Sequence, residues 1–245
     1  MKAMILAAGL GTRLRPITNT IPKALVKINS ISMLGIIIQR MKYFGFNEII
    51  INLHYLPEKI ISYLEEKKYF GINICFTHEK DKLLDTGGGI KHARQFLDKG
   101  EPFLVHNVDV ISNIDLGKIY KYHLDHDALA TLAVKNKGSE RSLLFDHLWQ
   151  LSGWENSDTG ENMIINEKRA NGLRRIGFCG IHVISPEIFD LMQKDHVFSI
   201  INTYMDLASD HKIIGFNAEK NLWIDIGSHD QLEAARKIPP QAYLI

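Results

Sequence analysis

The chain has 245 residues, enough to bury a full core as one α/β domain or one domain with an insert. Its 45% apolar and 23% charged content is ordinary for a globular protein, and a net charge of +1 supplies no general basic field, which argues against nucleic acid or an anionic membrane as partner. The two cysteines, Cys75 and Cys179, lie inside apolar segments without zinc-ligand spacing and read as reduced core residues of a cytoplasmic protein.

Ala3 to Ala8 is an apolar run expected to form a buried first strand. With Met1 it mimics the start of a signal peptide, but the apolar stretch is too short and Gly9 interrupts it. No apolar run approaches the length of a transmembrane span. Met33, Leu34, Ile37, Ile38, Met41 and Phe44 repeat at helical spacing, with Gly45 as the stop. Glu48 to Leu53 reads as a strand, Leu56, Ile60, Ile61 and Leu64 as a second amphipathic helix, and Ile72 to Thr77 as another strand. Thr86-Gly87-Gly88-Gly89 leads into a helix to about Leu97, and Phe103 to Val108 is a buried strand ending at Asp109. Asp115 is placed to cap a helix to about His126, and Ala128 to Val134 makes a fifth strand.

This alternation implies a mostly parallel sheet covered on both faces, whose ligands gather at the carboxyl edge of the strands. From about Glu140 the rhythm changes to short strand-like pieces, Ser142–Phe145, Leu148–Ser152 and Arg175–Ile184. Helices near Pro186–Met192 and Ile200–Ala208 follow, the first with Ser185 as cap and Pro186 in the first turn. A strand at Leu222–Ile224 precedes Asp225-Ile226-Gly227, and a helix from about Asp230 ends before Pro239-Pro240. The chain shows no internal repeat and no hexapeptide repeat of a C-terminal β-helix. The expected organisation is a single domain over 1–245, made of a first half over 1–135 and a second half over 136–245.

Leu6 to Pro16, closed by Pro22-Lys23-Ala24-Leu25-Val26, is the most chemically loaded segment. Gly9 and Gly11 free the backbone to turn and approach a ligand, while Thr12, Arg13, Arg15 and Lys23 add a hydroxyl and three positive charges. Such a loop suits a polyphosphate, whose spread charge is met by amide N–H groups and cations. It is not a P-loop, because no Lys-Ser or Lys-Thr follows the glycines. The dinucleotide fingerprint fails too: its third glycine falls on Leu14, and Lys27, Ile28 and Asn29 stand where an acidic residue for the ribose is expected.

Asp109 and Asp225 each follow a strand, and such carboxylates beside a phosphate loop are suited to Mg2+, which takes one or two carboxylates with phosphate oxygens and water. Either alone reads equally as a turn or cap aspartate; beside a cationic loop the metal reading is the better one. The Thr86–Gly89 run could bring backbone against a base or ribose, or be a bare turn. His123 and His126 read as solvated on a surface helix, and His106 as a satisfied core histidine. No Ser/His/Asp or Cys/His grouping stands out, which is compatible with a reaction that needs no protein nucleophile.

These motifs resemble the signature of the sugar-1-phosphate nucleotidylyltransferases. The resemblance runs from Leu6–Pro16 and Pro22–Val26 through Glu48–Asn52, Asp85–Gly89, Asn107-Val108-Asp109 and Trp223–Gly227, nearly the whole chain. Short length, the Thr-Gly-Gly-Gly run and the tryptophan-aspartate ending look most like its N-acetylmuramate-1-phosphate uridylyltransferase branch; short mannose- or heptose-1-phosphate guanylyltransferases are similar. The resemblance implies a Rossmann-like three-layer sandwich with a mostly parallel mixed sheet, the GT-A-like nucleotide-diphospho-sugar transferase fold. It further implies that Ala8, Gly9, Gly11, Thr12 and Arg13 hold the nucleotide, Lys23 reaches the reacting phosphates, and the Gly87–Gly88 backbone contacts the base. Asn107 and Gly180 would lie at the sugar, and Asp109 with Asp225 at Mg2+. The Glu-Lys-Pro motif of many relatives is missing; the comparable region offers Trp154-Glu155-Asn156, with Glu155 as sugar ligand, or Glu167-Lys168-Arg169.

A sugar-1-phosphate oxygen is already anionic and needs no strong base to attack the α-phosphorus of a nucleoside triphosphate. The barrier is repulsion and alignment, which Arg13, Lys23, Asp109 with its metal, and backbone amides are suited to lower. The expectation is therefore an enzyme that takes a nucleoside triphosphate (first UTP) and a sugar-1-phosphate (first N-acetylmuramate-1-phosphate), as monomer or homodimer. The alternatives are a non-catalytic NDP-sugar-binding regulatory subunit and a metal-dependent glycosyltransferase of related fold.

Overall fold

The computed structural model describes residues 1–136, 138, 141–165 and 172–244. In chain order these form β1 (Lys2–Leu6), a hairpin of β2 (Lys27–Ile28) and β3 (Ile31–Ser32), α1 (Met33–Tyr43), β4 (Glu48–Leu53), α2 (Pro57–Glu66) and β5 (Asn73–His78). Next come α3 (Asp85–His92), α4 (Arg94–Leu97), β6 (Phe103–Asn107), β7 (Val110–Ser112), α5 (Leu116–His126) and β8 (Ala130–Lys135). The second half adds β9 (Arg141–Phe145), β10 (Leu151–Asn156), β11 (Asn162–Ile164) and β12 (Arg174–Ile184). It ends with α6 (Ile188–Leu191), α7 (Ile200–Leu207), β13 (Ile213–Asn217), β14 (Trp223–Asp225), α8 (His229–Arg236) and α9 (Gln241–Leu244).

The main sheet runs β11-β10-β9-β12-β6-β1-β4-β5, with β8 beside β12 and β13 beside β8. Strands β6, β1, β4 and β5 are mutually parallel, as the alternation of strand and helix requires, whereas β12 is antiparallel to β6. The sheet is thus mixed, and parallel throughout its β6-β1-β4-β5 part. Along β1, Ala3 and Ile5 face a core completed by Leu34, Ile37 and Met41 of α1, Ile60 of α2 and Ile119 of α5. Met4, between them, faces the opposite core with Ile90 of α3 and Tyr204 of α7. This period-2 split of a continuously apolar strand makes a three-layer α/β/α sandwich. Ser32 caps α1 by accepting from the Gly35 amide at 2.9 Å, and Gly45 beyond its end takes φ +86°.

Two local expectations are corrected. Ser185 does not cap α6: its hydroxyl donates to Ala128 O (2.9 Å) and meets His123, so the helix begins only at Ile188. His123 is not solvated but 1% exposed, bridging Thr131 Oγ1 and Ser185 Oγ at 3.0 Å each, because α5 turns it onto β8. His126 is exposed, and His106 is a satisfied core histidine with Nδ1 2.8 Å from Asn107 O.

A third apolar cluster lies apart from the sandwich. Leu14, Ile28, Met33, Ile111, Ile226, Leu232 and Tyr243, all 1% exposed or less, pack together beneath the segment that follows β1. Arg40 of α1 locks it from below, donating to Tyr243 O (3.1 Å) and Ile114 O (2.5 Å).

Candidate active site

β1 sits between β4 and β6, so successive connections leave it in opposite directions and a crevice opens beyond its carboxyl end. A cleft of about 540 Å³ fills that crevice. Its walls include Ala8, Gly9, Gly11, Thr12, Arg13, Lys23, Asn107 and Asp109, so eight of the thirteen residues expected at the site converge on one cavity.

The glycine loop is held by few contacts. Gly11 takes φ +65° to turn the chain, and its carbonyl accepts from Leu14 N (3.0 Å) and Thr18 Oγ1 (2.8 Å). A short 3-10 turn, Thr12–Leu14, then points Leu14 into the third cluster and leaves Thr12 and Arg13 exposed. Nothing lies within 4 Å of where a Cβ on Gly9 would stand, so that glycine faces the open cleft. Lys23 is 8% exposed on a later 3-10 turn, Lys23–Leu25, and its Nζ donates to Asp109 Oδ2 at 2.6 Å. Charge-assisted pairs of this length hold both groups in place.

Asp109 and Asp225 meet through the backbone. β14 pairs antiparallel with β7, matching Asp225 to Val110, and Ile226 N donates to Asp109 O at 2.8 Å. Both aspartates therefore stand at one end of a two-stranded ribbon at the cleft floor, although Asp225 does not itself line the cavity. Among the described residues no group of three or more His, Cys, Asp or Glu is gathered for a metal. Two carboxylates are nevertheless the donor set suited to Mg2+, which keeps water and takes phosphate oxygens.

Asn107 and Gly180 are also neighbours: at Gly180 (φ +71°) a Cβ would stand 2.8 Å from Asn107 Nδ2. Gly180 sits where the β12–β8 register shifts, between Phe178 and His182, and Trp223 Nε1 donates to the Cys179 carbonyl there at 2.8 Å.

Five expected residues do not line the cavity: Asp225 and Gly180, which lie behind Asp109 and Asn107, and Gly87, Gly88 and Glu155. The Gly87 and Gly88 amides donate to Phe198 O at 2.9 and 3.2 Å, and a Cβ on either would collide with Phe198 or the His196 carbonyl. Those glycines let α3 pack against the 196–198 segment, while the preceding Asp85 and Thr86 line the cavity. Glu155, on β10, lies outside the cavity walls and pairs with Arg175 Nε at 2.7 Å. Glu167-Lys168-Arg169 falls outside the described residues.

The sequence reading missed Asn52 and Glu79, both cleft-lining and 3% and 4% exposed. Asn52 Oδ1 accepts from Ala7 N (2.7 Å), its Nδ2 donates to Glu79 Oε1 (2.7 Å), and Glu79 Oε2 accepts from Leu84 N (2.8 Å). The signal was available: Asn52 is the penultimate residue of β4 and Glu79 directly follows β5, so both stand at the same carboxyl edge as Asp109.

Residues 2–143 match the nucleotidyl transferase family. The chain belongs to that family. It is 31% identical over 242 residues to N-acetylmuramate alpha-1-phosphate uridylyltransferase of Neisseria meningitidis, covering 97% of this chain and 98% of that one. It is also 31% identical to the enzyme of the same name from Caulobacter vibrioides, over 92% and 91% of the two chains. The fold matches that of a crystal structure of a putative glucose-1-phosphate thymidylyltransferase from Bacillus anthracis in complex with a sucrose, with a TM-score of 0.82, 18% identity, and 98% and 96% of the chains covered. The nucleotidyltransferase is thus an enzyme of the sugar-1-phosphate class on the nucleotide-diphospho-sugar transferase fold. Among its described residues no helix is long and apolar enough to cross a membrane.

Proposed function

We propose that the enzyme transfers UMP from UTP to N-acetylmuramate-1-phosphate, releasing pyrophosphate, with Mg2+ held by Asp109 and Asp225. The observation that carries the reading is the convergence of the cationic glycine loop, the Lys23–Asp109 pair and Asp225 at one sheet edge. The muramate assignment is supported by near full-length similarity to two enzymes of that name.

In the proposed reaction an oxygen of the sugar phosphate attacks the α-phosphorus. One P–O bond forms to the sugar phosphate as the bond between the α-phosphorus and the bridging oxygen breaks, and pyrophosphate leaves with the negative charge. Arg13 and Lys23 neutralise the phosphates, and the amides around Gly9 and Gly11 orient them; fixed charges in a crevice lower such barriers without reorganising. Mg2+, when bound, would supply further positive charge to the phosphate oxygens and fix their geometry. Asn107, seated against Gly180, would contact the sugar.

We place the base edge against the Glu79 carboxylate, which lines the cleft and keeps lone pairs beyond those taken by Asn52 Nδ2 and Leu84 N. Uracil and guanine each present a ring N–H that a carboxylate accepts, whereas the corresponding ring nitrogens of cytosine and adenine are acceptors and would face it unpaired. Guanylyl transfer to a mannose- or heptose-type sugar phosphate is therefore the second reading.

Five nucleoside triphosphates assayed against a panel of sugar-1-phosphates, scored by pyrophosphate release with and without Mg2+, test both readings. UTP with the muramate phosphate is expected to lead, with CTP and ATP inactive, and Asp109→Asn is expected to abolish most turnover. Equal use of ATP would refute the base argument. Full turnover by Asp109→Asn, or no pyrophosphate from any pair, would overturn the catalytic assignment.

A further inference from the structure

We infer that Gly227 is a positioning residue for Arg13: lacking a Cβ, it leaves a flat patch of cleft wall on which the guanidinium lies, and so ties the loop cation to the strand that carries Asp225. Both residues line the cleft. A Cβ built on Gly227 would stand 2.8 Å from Arg13 Nη1 and 3.0 Å from both Cζ and Nη2, and these are its three nearest neighbours. The backbone of Gly227 lies outside the left-handed region, so an L-residue could adopt it. Space for Arg13, and not conformational freedom, is what requires glycine here.

The seat is fixed on both sides. Ile226 N is bonded to Asp109 O, and Gly227 N donates to Gln231 Oε1 of α8 at 2.9 Å. Ser228, next in the chain, caps α8 by accepting from Gln231 N at 3.3 Å. Arg13 pairs with no carboxylate among the described residues, which leaves its planar fork of donors for anionic oxygens of the ligand. The wall thus leaves the guanidinium room to lie beside the strand end that carries Asp225, and a Cβ there would push its flexible tip aside. What Arg13 does once placed rests on the nucleotidyl-transfer reading; that Gly227 places it does not.

A double-mutant cycle separates the two. Gly227→Ala, Arg13→Ala and the double variant are compared by nucleoside triphosphate affinity (titration with UTP), by kcat/KM for pyrophosphate release, and by thermal melting. Gly227→Ala is expected to keep the wild-type melting temperature and to lower affinity and kcat/KM about 10- to 100-fold, the scale of a displaced catalytic group. In the Arg13→Ala background the same substitution is expected to change both by less than about twofold, since no guanidinium remains to displace. Equal losses in both backgrounds, or no loss in either, would overturn the inference. If Gly227→Ala lowers stability, the Arg13→Ala background should restore it; persistence of the loss there would also overturn it. If no sugar phosphate yields pyrophosphate, the reaction reading fails, and the affinity cycle still decides the role of Gly227.

Discussion

Mild acid should loosen this enzyme well before its carboxylates titrate. His106, His123 and His182 are each 2% exposed or less, and burial lowers their pKa values to about 4, about 4 and about 3, against 6.5 for an ordinary histidine. Arg40 adds to the lowering at His106 and the His106 ring to that at His182, while the Asn107 carbonyl and Asp109 at His106, and Asp127 at His123, offset burial only in part. In the unfolded chain all three regain the ordinary value, so between about pH 6.5 and pH 4 the unfolded state binds more protons and stability falls as pH falls. Going from about pH 7.5 to about pH 5.5, each histidine contributes a loss of about 1.4 kcal/mol, or about 4 kcal/mol together. That is a large part of the net stability of a typical protein. Urea unfolding at the two pH values measures it directly. His182→Gln, which removes one titrating ring, is expected to flatten the pH dependence by about a third. Stabilities at the two pH values within about 1 kcal/mol, or an unchanged slope in His182→Gln, would refute the reasoning.

Lys23→Met should separate folding from turnover. The pair it breaks is partly solvated, with Asp109 at 25% side-chain exposure, so a loss of about 1–2 kcal/mol in stability is expected by calorimetry or urea unfolding. Turnover is expected to fall about 100-fold or more, because in the proposed reaction this charge meets the reacting phosphates; a loss of fold instead would make the lysine structural. Gly180→Ala must place an L-residue at φ +71° and press a Cβ onto Asn107, which should cost about 1–2 kcal/mol and lower the melting temperature by a few degrees. If Asn107 meets the sugar, the KM for the sugar phosphate rises while that for UTP does not; an equal rise in both would place Asn107 elsewhere.

The alternation of apolar runs with amphipathic segments made the sandwich legible, and the glycines with their cations marked the cleft. Strand-end carboxylates were legible one at a time. Their meeting came only from the family resemblance and not from local pattern, since β7 and β14 are three residues each, too short for any periodicity, and join segments over a hundred residues apart. The setting of Gly87 and Gly88 was hidden for a similar reason: their amides are taken by the Phe198 carbonyl, a partner invisible from local sequence. His123 looked exposed because α5 carries polar residues around it, and only docking on β8 buries the ring. Glu79 was overlooked although the edge rule that found Asp109 applies equally to the residue after β5.

The third apolar cluster gives the glycine loop, proposed above to hold the nucleotide, a foundation of its own. Leu14 is fully buried between the two exposed residues Arg13 and Arg15, so the segment is nailed down at its midpoint while the groups on either side remain in solvent. A recognition loop anchored in this way arrives already shaped, and the entropy of ordering it is lost when the chain folds, not at each encounter with ligand. Association of nucleotide should accordingly be limited by diffusion and charge steering, with little lag for loop closure, and it should depend on ionic strength more than on temperature.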